Sequence, residues 1–225
     1  LPFLFALLVW WAGTGLVLFL DQLPARTYRW SMAAASALAL AAMAGLAITS
    51  NDASVAGAYI GFACGVAVWG WHEMAFLMGY LAGPRKSAAT VARGGLRHVG
   101  QAIEAILFHE LAILATMAAI VALTWDGPNQ TGTGTFAILW IMRLSAKLNV
   151  YLGVPNLTEE FLPAHLKYLK SFFAHKPMNL LFPASVTLAS GATLYLAVAA
   201  LAPDADTFAV AGYGLLASLM ALAVI

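Results

Sequence analysis

Apolar residues in this chain do not alternate with polar ones. They run together in long stretches broken by short polar connections. The stretches lie at about 1–20, 31–49, 54–82, 99–125, 134–153, 181–202 and 207–225. A helix needs roughly 20 mostly apolar residues to cross the hydrocarbon core of a bilayer. The pattern therefore predicts an all-α fold, a polytopic transmembrane helical bundle of about seven spans, with residues 1–225 forming a single domain. The third and fourth stretches are longer than the core is thick, so they tilt or project from it. The first stretch opens at residue 1 and the last reaches residue 225 without a polar flank, so the chain reads as a piece of a longer protein. The N-terminal stretch is too long for a simple signal peptide and lacks its basic flank and cleavage site.

Composition agrees with a membrane protein. The 225 residues are 62% hydrophobic and 9% charged, against roughly a quarter charged in soluble domains. The net charge of +1 says little; its distribution says more. One set of connections carries Arg26 and Arg29, then Arg85, Lys86, Arg93 and Arg97, then Lys167, Lys170 and Lys176. The alternate connections, SNDAS, WDGPNQTGTG and APDAD, carry no Lys or Arg. Basic residues on every second loop place those loops in the cytoplasm, the N-terminus outside, and the end of the seventh span inside.

The longest cytoplasmic connection, 154–180, predicts a short amphipathic helix between spans five and six. Thr158 can cap it, and Glu159 and Glu160 suit its first turn. Phe161, Leu162, Leu166, Leu169, Phe172 and Phe173 then alternate with Lys167 and Lys170. Such a stretch lies on the membrane surface, docks a partner, or tucks against the bundle. His98 and His175 sit in basic loops and read as surface residues.

The candidate chemistry is inside the spans. His72-Glu73 lies in the third and His109-Glu110 in the fourth. Ionisable groups at such depth persist mainly where they pair, bind an ion or cofactor, or line a wet cavity. Both pairs fall roughly 15 Å in from the cytoplasmic ends. Arg143 lies at similar depth, and Glu104 and Lys147 are shallower. Adjacent helical residues point about 100° apart, so His and Glu of one pair cannot easily share an ion. Arg143 and Lys147, four apart, share a face and can oppose Glu73, Glu104 or Glu110.

Three readings stay open. The first is an ion-pair network that fixes packing. The second is tetrapyrrole binding, with His72 and His109 as axial ligands to magnesium or iron. Gly65, Gly70, Ala105 and Ala112 would leave room for the ring, and Trp69, Trp71 and Phe108 would pack on it. The third is a membrane metalloenzyme acting on a tetrapyrrole, quinone or isoprenoid. Its iron or zinc would be drawn from His72, Glu73, Glu104, His109, Glu110, Glu159, Glu160 and His165. No HExxH or ExxH spacing supports it.

Other classes fall away. The single cysteine, Cys64, allows no intrachain disulfide or cysteine metal site. The seventh span has no Lys for a retinal Schiff base. There is no P-loop, Rossmann fingerprint, G-x-S-x-G or nucleic-acid-binding motif, and no half-to-half symmetry of a transporter.

Several long runs carry a resemblance: LDQLPARTYRWS, NDASVAGAYIGFACGVAVWGWHEMAFLMGYLAGPR, LFHELAIL, WDGPNQTGTGTFAILWIMRLSAKLNVYLGVPNLTEEFLPAHLKYL and KPMNLLFPASV. They resemble the PuhE family, also called photosynthetic complex assembly protein 2, from the first cytoplasmic loop into the sixth span. The resemblance implies a multi-pass protein of the bacterial inner or intracytoplasmic membrane. It would act in assembly of the reaction centre and core antenna or in bacteriochlorophyll supply. Its implied partners are lipid, reaction-centre and light-harvesting subunits or pigment-synthesis proteins, and its implied cofactor is bacteriochlorophyll or a precursor. A stable structural subunit of a photosynthetic complex is a further reading. The family brings no catalytic residues to carry over.

Overall fold

The computed structural model describes residues 1–155, 157 and 162–224. Seven long helices follow one another: α1 (Pro2–Asp21), α2 (Tyr28–Thr49), α3 (Val55–Leu77), α4 (Leu96–Thr124), α5 (Thr131–Leu152), α6 (Leu181–Ala200) and α7 (Thr207–Val224). Among the described residues there is no strand, only an isolated bridge between Val154 and His175. The fold is a polytopic helical bundle, as the hydrophobic pattern predicts. Six of the helices are long and apolar enough to cross a membrane. The exception is α5, whose 22 residues are long enough but include Arg143, Lys147 and several Thr.

α3 is the hub, touching α1, α2, α5 and α7. Its run of small residues allows this. Gly61 and Gly65 lie one turn apart and meet Gly132 of α5, so close that a Cβ on Gly65 would stand 2.7 Å from the Gly132 carbonyl oxygen. Small residues are how helices approach one another in lipid. Phe62, Phe136, Leu215 and Leu219 fill the centre and are fully buried. Leu8, Trp11 and Phe19 of α1, Leu111 and Leu114 of α4 and Leu188 and Leu194 of α6 face outward. In water such patches would be a liability; in a bilayer they are the lipid contact.

The basic connections meet at one end. Arg93 donates to the carbonyls of Tyr151, Phe172 and Phe173 at 3.0, 2.7 and 2.5 Å, joining the third loop to the fifth. Asp21 at the end of α1 and Tyr28 at the start of α2 line a pocket with His165 of the fifth connection. At the opposite end the loops without Lys or Arg are joined by Asn129, which donates to the carbonyls of Thr49 and Asp52 at 3.0 and 3.1 Å.

The amphipathic element of the fifth connection is a 3-10 helix, Ala164–Phe172. Nine residues is long for this geometry, and the sequence explains it. Leu166, Leu169 and Phe172 are spaced by three and line up on a helix of three residues per turn. All three are buried, against Phe76, Ala82 and Ala105. The apolar side therefore packs onto the chain's own α3 and α4. The expected cap at Thr158, with Glu159, Glu160 and Phe161, lies outside the described residues. Burial among these apolar groups pushes the Tyr168 phenol above its usual range.

Two expectations are corrected. His98 is not on the surface. It is buried in the first turn of α4, its Nδ1 2.8 Å from the Tyr151 hydroxyl and its ring against Phe172. His175 is exposed, as expected. The third span stops at Leu77 rather than 82, because Gly79 adopts a φ of 80° and turns the chain. The following residues run beside α4 without helical structure.

Candidate functional site

The inward stripe of α4 is Ala105, His109, Ile113 and Ile120, all buried. On α3, His72 and Phe76 occupy one face, four residues apart. These stripes meet. The His72 and His109 ring centroids are 6.3 Å apart, and Phe76 lies 4.7 Å from His109. Both histidines have no exposed surface at all. His72 Nε2 lies 3.0 Å from the Thr116 hydroxyl, seven residues beyond His109 on the same face of α4.

The one-residue step from His to Glu turns each carboxylate toward α5. Phe136, Trp140, Arg143 and Lys147 form one stripe along that helix. Arg143 pairs with Glu73 at 3.1 Å and Lys147 with Glu110 at 2.6 Å. The Lys147 ammonium also sits over the Phe76 ring, 5.4 Å from its centroid. The layer is thus two histidines facing each other between α3 and α4, flanked by two ion pairs to α5. Two cations cancel two anions, which lowers the cost of holding either sign at this depth.

Hydrogen bonding in the layer is incomplete. His72 Nδ1, both ring nitrogens of His109, Glu73 Oε1, Trp140 Nε1 and Arg143 Nε are buried without a partner. A buried polar group left unsatisfied costs about 1–3 kcal/mol. Native proteins leave few, and each calls for a reason. Three of these six atoms are imidazole nitrogens on facing rings.

The layer is closed on the side of the basic connections. The His109 amide donates to the Ala82 carbonyl at 3.0 Å, so the segment after α3 is held against the middle of α4. Gly83 is pressed onto α4 there: a Cβ would collide with the Glu104 carbonyl and stand 2.6 Å from the Ala105 carbonyl carbon. Below lies the apolar cluster of Phe76, Ala82, Ala105, Leu166, Leu169 and Phe172. Gly83→Ala is expected to destabilise the protein by about 1–3 kcal/mol, the usual cost of overpacking. A thermal melt in detergent against wild type measures it, and an unchanged midpoint would show that the contact is dispensable.

The other expected site residues are elsewhere. Glu104 pairs with Arg85 at 3.0 Å and is half exposed. His165 Nε2 lies 2.8 Å from the Leu77 carbonyl, away from the layer. Glu159 and Glu160 are outside the described residues. Among the described residues no three His, Cys, Asp or Glu side chains gather as a metal site. Of the small residues, Gly65 packs on α5 and Ala105 on Gly83, while Gly70 faces open space. Trp69 packs on Phe136, Trp71 donates to Ser36 at 2.9 Å, and Phe108 faces outward. Neither histidine ring reaches the surface of the bundle in this arrangement. Thr116, Phe76 and Trp140 belong to the layer although sequence reasoning missed them; Phe76 and Trp140 look like ordinary span residues, and Thr116 is legible only as the residue two turns beyond His109.

The family described as a protein of unknown function, DUF3623, matches residues 1–225. The chain belongs to that family. It is also similar to a protein of Rhodobacter capsulatus described as an uncharacterized 30.4 kDa protein in the puhA 5' region. The two are 38% identical over 203 residues, covering 85% of this chain and 73% of the relative. No solved structure matches this DUF3623 chain.

Proposed function

We propose that this protein is a photosynthetic complex assembly factor of the PuhE type. It serves assembly of the reaction centre and core antenna, or the supply of bacteriochlorophyll to them, and the His72–His109 layer is its working site. The gene region of the relative supports the photosynthetic setting. The observation that carries the site is the set of three buried imidazole nitrogens without partners. Neutral imidazole supplies a ligand nitrogen, to the magnesium of a bacteriochlorophyll or precursor or to an iron or zinc ion. In the closed layer neither ring is accessible, so ligation requires α4 to part from α3. The sparse packing of α4 on its neighbours supports that reading.

The test is to purify the protein gently from its native membrane and record an absorption spectrum with parallel elemental analysis. The double variant His72→Ala/His109→Ala is compared in the same host. The variant is expected at normal abundance but with reduced reaction-centre and antenna yield. Wild-type pigment content and complex yield in the double variant would sink the proposal. Stoichiometric iron or zinc that vanishes with the histidines would instead favour the metalloenzyme reading. The internal pairing of all four layer charges favours a structural reading, a fixed subunit of a photosynthetic complex. Co-purification at constant stoichiometry would support that.

A further inference from the structure

A second polar site lies at the cytoplasmic end, separate from the layer. A pocket of about 350 Å³ opens between the end of α1 and the start of the 3-10 helix. Asp21, Gln22 and Tyr28 form one wall, and Pro163 and His165 stand on the other. Asp21 is only 7% exposed, and its Oδ1 has no hydrogen-bond partner. It is also the last residue of α1, where the helix presents its negative end. Burial and the helix dipole both disfavour a carboxylate there. No Lys or Arg among the described residues pairs with it. Arg29, nearby in sequence, stacks on Trp30 instead.

The opposite wall supplies a defined donor. A carbonyl oxygen only accepts, so the contact of His165 Nε2 with the Leu77 carbonyl fixes the proton on Nε2. In the neutral ring Nδ1 then carries the lone pair. Metal-bound histidines commonly have this arrangement, with the second ring nitrogen donating to a backbone carbonyl. The Tyr28 hydroxyl donates to the Asp21 carbonyl oxygen at 2.6 Å, which fixes the α1 end without using the carboxylate. Asp21 and His165 both line this pocket.

We infer that this pocket takes a first-row divalent transition cation, held by the Asp21 carboxylate and His165 Nδ1 with water completing the shell. Carboxylate oxygen and imidazole nitrogen are the donors such ions take. A cation at the Asp21 carboxylate offsets the negative end of α1. It also ties α1 to the segment that closes the bundle from below. With only two protein donors the ion is exchangeable, unlike a closed structural site.

The experiment uses the tag-free full-length chain in detergent, dialysed against Zn²⁺ and followed by elemental analysis over a concentration series. Asp21→Asn keeps the side-chain shape. His165→Gln can still donate to the Leu77 carbonyl but has no Nδ1 lone pair, so it separates ligation from a structural role. His175→Gln is the control. Wild type and the control are expected to bind about one Zn²⁺. Asp21→Asn and His165→Gln are each expected to weaken binding at least about tenfold, with gel-filtration profile and helix content unchanged. Absence of stoichiometric Zn²⁺ in wild type would overturn the site. So would binding that survives either substitution. None of these outcomes depends on whether the His72–His109 layer handles pigment.

Discussion

Lys147→Met is expected to destabilise the purified protein by about 3–5 kcal/mol, because it leaves the Glu110 carboxylate in the bilayer without its cation. The 2.6 Å contact is short and its two side chains are only 17% and 24% exposed, so water cannot substitute for the ammonium. The double variant Glu110→Gln/Lys147→Met removes both charges and is expected to recover most of the loss. Thermal unfolding of the two single variants and the double variant, in one detergent, gives the coupling directly. If the loss in the double variant equals the sum of the two single losses, the pair is not coupled and the layer is held by something else.

His109→Leu is expected to separate stability from function. Both ring nitrogens of His109 are buried without partners, and leucine has none to satisfy. Removing them relieves about 1–3 kcal/mol of desolvation cost, so the melting temperature should rise or hold. Photosynthetic complex yield in the native host should fall several-fold at equal protein abundance. That combination is the mark of a residue kept for what it does at the expense of stability. A variant that is both more stable and fully active would mean the imidazole is an ordinary core side chain.

How far the sequence speaks can be judged from particular residues. The spans were legible because lipid imposes long apolar runs, and the loop charges sorted into the two sets that the structure gathers at opposite ends. The pairing of α5 with Glu73 and Glu110 followed from the four-residue spacing of Arg143 and Lys147. Which carboxylate each cation takes did not, since Glu104 was an equal choice until Arg85 claimed it. His98 was misjudged because a basic loop sequence hides the contact that buries it, a Tyr151 hydroxyl 53 positions away. The end of α3 was misplaced because residues 78–82 are as apolar as a span. Their backbone is satisfied partly by α4, through Ala82 and His109, and no local pattern announces a partner so distant in the chain. Asp21 read as a loop residue, since nothing in its neighbours tells that its carboxylate is buried.

The polarity of α5 bears on how the chain enters the membrane. A Lys or Arg near the middle of a lone helix opposes insertion by about 2.5–3.5 kcal/mol, and α5 carries Arg143 there with Lys147 one turn beyond. Its counter-charges sit on α3 and α4, which leave the ribosome first. The earlier helices thus act as an internal chaperone for the later one. Synthesis order becomes part of the fold, and a chain lacking either glutamate would tend to stall with its fifth helix outside the bilayer.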